Sequence, residues 1–183
     1  WDETPDDELV RRHERQLFPL LRQRRIFAEV ERFLLYDFEA ADGTVDENVF
    51  AYSNEVDGER SLVVYHNRFA DTRGWLRTST AVVQNSGGGE RELRRYALAD
   101  GLRVSEAPDA WVVLRDAVTG LEYLRSAREL RDRGLWFELD AYRLHCFARI
   151  RDVVEDADHP WSELAAQLSG AGVASVGEAL IVL

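Results

Sequence analysis

The chain has 183 residues, 45% of them hydrophobic, with 34 acidic side chains against 23 basic ones and a formal net charge of −11. That size and composition suit one compact globular unit with terminal additions, able to hide roughly 70% of the surface its unfolded form exposes. The acidic balance excludes a nucleic-acid-binding surface, which needs clustered Lys and Arg, and no apolar run approaches the ~20 residues of a membrane helix.

Helix signals come first. Thr4 is placed to cap, Pro5 to occupy the first helical position, and Asp6, Asp7 and Glu8 suit the positive end of the dipole. Leu9, Val10, His13, Leu17, Leu20 and Leu21 recur at helical spacing. Pro19 kinks this helix or splits it, the second piece running to about Glu31 with Ile26, Phe27 and Val30 on its apolar face.

Strand patterns begin near Arg32. Phe33 to Phe38, Val49 to Asn54 and Ser61 to Asn67 are separated by the turns Ala41 to Thr44 and Asp57-Gly58. Such short connections imply an antiparallel meander, since parallel pairing needs long crossovers. Leu76 to Thr80 reads as an edge strand, Ser86 to Gly89 as a flexible breaker, and Glu90 to Ala99 as a short helical stretch. Trp111 to Asp116 and Leu121 to Arg125 are strand candidates. Ser126 is placed to cap a helical turn ending at Gly134, and strands follow over Leu135 to Leu139 and Tyr142 to Ile150. His159-Pro160-Trp161-Ser162-Glu163-Leu164 opens a closing helix to about Leu168, Gly170 to Val173 ends it, and Ser175 starts another helical turn.

This order divides the chain into a helical segment over 1–31, an antiparallel β-sandwich over 32–153 and a C-terminal helical extension over 154–183. The expected fold is mainly β with flanking helices. The chain opens on Trp1, contains no Met and ends on an apolar run at Leu183, which reads as a processed or excised segment. No leader peptide is recognisable at its start.

The region from Leu17 to about Asp152 resembles the end of α-amylase-superfamily glycoside hydrolases. Leu20-Leu21-Arg22-Gln23-Arg24-Arg25-Ile26-Phe27 is similar to the last helix of that family's catalytic barrel, and Phe33-Leu34-Leu35-Tyr36-Asp37-Phe38 to the first strand of the β-sandwich that follows it. Asn48 to Asn54 and Glu59 to Asn67 resemble the family's next strand pair, and Leu135 to Phe147 its closing hairpin. The wording is nearest a poorly characterised branch of large bacterial amylase-like proteins. The resemblance implies a non-catalytic C-terminal domain that stabilises an upstream catalytic barrel of the same polypeptide, the parent acting on α-glucan-type carbohydrate. The family's catalytic carboxylates lie on its barrel strands and its four barrel motifs have no match here, so no catalytic residue carries over.

The residues themselves point the same way. The acidic pairs Asp37 with Glu39 and Glu122 with Glu138 have no spacing that fixes them across a cleft, and Asp37 to Glu47 fails the calcium-loop pattern because Ala40 and Ala41 stand at ligand positions. No two of His13, His66, His145 and His159 have the spacing of metal ligands on one helix face. His66 and His145 fall in strand patterns and read as satisfied structural histidines. The single cysteine, Cys146, excludes a disulfide scaffold and reads as core. Ser86-Gly87-Gly88-Gly89 is followed by no Lys-Ser or Lys-Thr and is no phosphate loop. No cofactor or metal is expected, and neither nucleic acid nor membrane is expected as a partner.

Aromatics carry the one positive expectation. Sugar rings stack on exposed aromatic planes, and Trp75, following the polar turn Asp71-Thr72-Arg73-Gly74, is the candidate for a polysaccharide contact. Two alternative functions follow: a carbohydrate-binding module acting through exposed aromatics, and a stand-alone β-sandwich interaction domain with a basic partner.

Overall fold

The Asp57-Gly58 pair closes its hairpin as its chemistry dictates: both residues have positive φ, 51° and 81°, the conformation of the primed turns that match strand twist. It joins β2 (Val49–Val56) to β3 (Glu59–His66), and β1 (Leu34–Ala40) pairs with β2, completing the expected meander. The structure, a computed structural model, describes residues 6–16, 18–21, 24–28, 30, 32–85 and 91–183. The Thr4 and Pro5 signals and the Ser86 to Gly89 breaker lie outside the described residues.

β4 (Thr72–Ser79) continues the sheet, followed by β5 (Val82–Asn85), β6 (Arg91–Arg94), β7 (Ala110–Asp116), β8 (Glu122–Ser126), β9 (Leu135–Leu139) and β10 (Leu144–Val154). Eight strands form one antiparallel sheet in the order β8-β7-β10-β3-β2-β1-β4-β9, and β5 and β6 form a separate hairpin. The sheet curls on itself. Phe137 of β9 lies about 6 Å, ring to ring, from Phe147 of β10, although five steps of the strand order separate them. The two facing layers expected of a sandwich are thus two halves of a single sheet.

Two bulges help to bend it. The register of β10 against β7 shifts between Ala148 and Arg151, where Arg149 takes φ of 54°, and that of β1 against β4 shifts between Tyr36 and Phe38. Gly74 permits the close approach of β4 to β1: a Cβ there would strike the Glu39 carbonyl. The inner face holds the main core, including Phe38, Leu62, Val64, Leu76, Val112 and Phe147. Two helices enter it, α4 (Leu98–Gly101) and α5 (Ala127–Arg133), through Leu98 and Leu130.

The remaining helices flank the sheet. Among the described residues, the helical stretches α1 (Asp7–Gln16), α2 (Phe18–Leu21) and α3 (Arg24–Ala28) precede it. Pro19 stands within the helical stretch Phe18–Leu21, the choice between a kink and a split falls on residues outside the described ones, and Asp6 accepts hydrogen bonds from the Glu8 and Leu9 amides to cap α1. At the other end, α6 (Trp161–Leu168) and α7 (Val176–Ile181) cover the outer face of β7 and β8, where Trp161, Leu164 and Val176 pack on Val113 and Leu124. No helix among the described residues is long and apolar enough to cross a membrane.

Three local expectations are corrected. The stretch from Glu90 to Ala99 is not one helix, because Arg91–Arg94 pairs with Val82–Asn85 as a strand. Leu76 to Thr80 is no edge, since β4 lies between β1 and β9. Leu135–Leu139 and Leu144–Val154 are consecutive but not paired: β9 bonds to β4, whereas β10 bonds to β3 and β7.

Candidate functional site

α5 bridges the two free edges of the curled sheet, connecting the end of β8 to the start of β9. Ser126 starts the helix by accepting a hydrogen bond from the Glu129 amide. Gly134 ends it at φ of 83°, in a backbone region only glycine adopts without strain, and a Cβ there would strike the Leu76 carbonyl. Above this seam lies a cleft of about 480 Å³, roofed on one side by α6. That volume falls within the ~300–1,000 Å³ range of small-molecule sites.

Three tryptophans meet at the cleft: Trp75 from β4, Trp111 from β7 and Trp136 from β9. Strand register explains the first contact. Trp75 and Trp136 are direct cross-strand partners, with ring centroids 5.2 Å apart and planes at 63°. The Arg77 and Arg133 guanidinium carbons lie 5.0 and 5.1 Å from the Trp75 ring centre. Trp111 is pinned differently: its indole N–H donates to Glu155 at 3.0 Å, and Glu155 also accepts the Ser162 hydroxyl of α6. Trp136 is the exposed member at 38%, and its N–H makes only a long 3.5 Å contact to Glu138.

Trp75 is thus brought into a cleft, but as the half-buried base of a tryptophan pair. Trp136 is the residue that the sequence reading passed over. Its signal was present in Leu135-Trp136-Phe137-Glu138-Leu139, whose alternation places Leu135, Phe137 and Leu139 inward and Trp136 with Glu138 outward.

Several polar groups elsewhere are committed to the fold. Asp116 is fully buried and accepts hydrogen bonds from the Val118 and Cys146 amides and the Thr119 hydroxyl, with His145 Nδ1 3.0 Å away. Burial alone would raise its pKa, but the bonds from His145, Val118 and Cys146 outweigh it and hold the carboxyl below its ordinary value. His145 stacks flat on Phe147 at 5.5 Å. His66 Nδ1 lies 3.1 Å from the Asp140 carbonyl. The two histidines stand diagonally on the inner face, His145 opposite Val64, and each has its own partner. Cys146 points to the other face from His145, and its thiol is pushed up to about 12, by burial first and by the charge of Asp116 second.

The acidic pairs do not face each other. Asp37 pairs with Arg95 and Glu39 with Arg77, while Glu122 sits between Arg115 and Arg151 and accepts the Val176 amide that anchors α7. In the acidic turn, Asp42 serves the amide and hydroxyl of Thr44, and Asp46 the amides of Asn48. Among protein-family models, curated proteins and solved structures, none matches this chain.

Proposed function

We infer that this chain is a non-catalytic domain of an α-amylase-like glycosidase acting on α-glucan-type carbohydrate, and that it covers and stabilises the catalytic barrel of the same polypeptide. The observation that carries this reading is the partly covered outer face of β1, β2, β3 and β10, where Val63 and Cys146 are buried but the apolar side chains around them reach solvent. Leu35, Tyr52, Val63 and Cys146 form one row across those four strands, and Phe50, Tyr65 and Leu144 form another across β2, β3 and β10. Leu35 is 45% exposed and Phe50 51%, and Phe33 extends the rim. The outer face of β7 and β8 has α6 and α7 as its second layer; among the described residues, α3 lies at one end of this half, through the Phe27 contact with Tyr52.

Apolar area left in water costs about 25 cal/mol per Å², and aromatic clusters of this kind form the cores of stable interfaces. The short helices that lead to the face expose Leu9, Val10, Phe18 and Leu21 as well. A barrel that ends in this helical segment would place its own apolar surface against both. The choice of an α-amylase-like parent rests on the resemblance of Leu20 to Phe27, Phe33 to Phe38 and the β2–β3 pair.

A second reading, carbohydrate contact by the domain itself, is favoured by one observation, the convergence of Trp75, Trp111 and Trp136 on the seam cleft. The primary reading is tested by assaying the chain for α-glucan hydrolysis and by reading the coding sequence upstream of Trp1. It expects no hydrolysis and an upstream barrel carrying paired catalytic carboxylates; hydrolysis by this chain, or an upstream region without a barrel, overturns it.

A further inference from the structure

We propose that the seam cleft binds a neutral oligosaccharide, with the exposed ring of Trp136 as the stacking platform and Arg133, Glu129 and Ser126 reading hydroxyl groups at its rim. The α-glucan identity of that oligosaccharide rests on the functional reading above; the cleft itself does not.

Charge decides for a neutral ligand. The cleft is lined by Arg125, Arg133 and Glu129, and Glu138 and Glu155 stand against its tryptophans. Arg125 is already engaged, donating to the Leu124 and Gly170 carbonyls at 2.8 and 3.0 Å. Arg77, the other cation at Trp75, is paired with Glu39. Arg133 alone is left to meet an anion, with three carboxylates nearby, so a phosphate or sulfate group gains no net field here. A polyol suits the same groups: a guanidinium donates in a planar fork, a carboxylate accepts from two hydroxyls, and Ser126 does either.

Shape favours a ring laid flat. Ala165, Ala166 and Gly170 line the helical side of the cleft with small residues, opposite which Trp136 is 38% exposed. The platform is preorganised, because Trp75 holds Trp136 edge to face and Glu155 holds Trp111, so little rotamer freedom remains to be lost on binding. The Trp136 N–H, held only by a long 3.5 Å bond to Glu138, is a donor a ligand hydroxyl can compete for. Stacking a sugar's C–H face on an indole while its hydroxyls meet rim groups is the general way a protein holds an uncharged carbohydrate.

The test is a titration of the 183-residue chain with maltoheptaose, and separately with cellohexaose, followed by calorimetry and tryptophan fluorescence. Binding of maltoheptaose with a fluorescence change is expected. Trp136→Ala should weaken it roughly tenfold or more and Arg133→Ala several-fold, while Phe50→Ser, on β2 and outside the cleft lining, should leave it unchanged. Binding of cellohexaose alone, lost in Trp136→Ala, would keep the cleft assignment and overturn the α-glucan parent. No binding of either sugar at millimolar concentration, or binding unaffected by Trp136→Ala with far-ultraviolet circular dichroism preserved, would overturn the proposal.

Discussion

The buried polar residues of this protein act as fasteners, and Asp116 is the most committed of them. It closes the turn that follows β7 and ties that turn to β10 through Cys146 and His145. Removing a buried, hydrogen-bonded carboxylate while leaving its donors behind costs about 3–5 kcal/mol, so Asp116→Ala should lower the urea midpoint sharply at neutral pH. Its lowered pKa sets the sign of the pH dependence. The folded state binds this proton more weakly than the unfolded state, so its contribution is complete above the ordinary aspartate value near ~3.9 and is lost as pH falls through the folded value. The stability gap between wild type and Asp116→Ala should therefore narrow under acid, and a gap that widens would refute the role.

Cys146, whose amide donates to Asp116, predicts the opposite kind of result. Buried and pushed up to about 12, the thiol should not react with a disulfide reagent at about pH 8 until the chain is unfolded. Arg60 shows what residue-level reading misses. Its guanidinium reaches the Ile150, Leu102 and Arg103 carbonyls and the Asp152 carboxylate, joining β3 to the bulged part of β10 and to the end of α4. Nothing near Arg60 in sequence announces partners so far along the chain.

At the scale of elements, local chemistry was a good guide wherever the local chain decides. The Asp57-Gly58 hairpin, the Ser126 and Gly134 ends of α5 and the Ser175 start of α7 all formed where their turn and cap residues stand. Ser126→Ala should cost about 1 kcal/mol, read as a drop in thermal midpoint, because the Glu129 amide loses its acceptor. Trp161→Ala should cost about 3–5 kcal/mol, since that ring is the buried centre of the second core, and loss of the α6–α7 cover should accompany it.

Where pairing partners decide, the sequence was silent. Arg91–Arg94 is exposed throughout and mostly charged and looks helical, yet the hairpin with β5 makes it a strand. Leu76 to Thr80 reads as an edge and Asp71 to Gly74 as a turn, while β4 runs through both and lies between β1 and β9. β9 and β10 look like a hairpin because they are adjacent in sequence, but adjacency does not specify register. The same blindness hid the cleft: Trp75 was legible beside its polar turn, but its meeting with Trp136 and Trp111 depends on register and on the curl of the sheet.

For the whole molecule, the curl has two consequences. It gathers most apolar side chains into one interior sealed at the seam by α5, and it turns two outer surfaces to opposite fates. One is covered by α6 and α7; the other presents Phe33, Leu35 and Phe50 to water beside Tyr52 and Tyr65. On the proposed reading, that second surface is the seat of the catalytic barrel. Hydroxyl-radical footprinting of Phe33, Phe50 and Tyr65, in the 183-residue chain and in the longer polypeptide that includes the upstream region, tests this most directly. The account predicts rapid modification of these rings in the chain alone and several-fold protection in the longer polypeptide, with Trp136 modified equally in both. Equal modification of Phe33, Phe50 and Tyr65 in the two would contradict it.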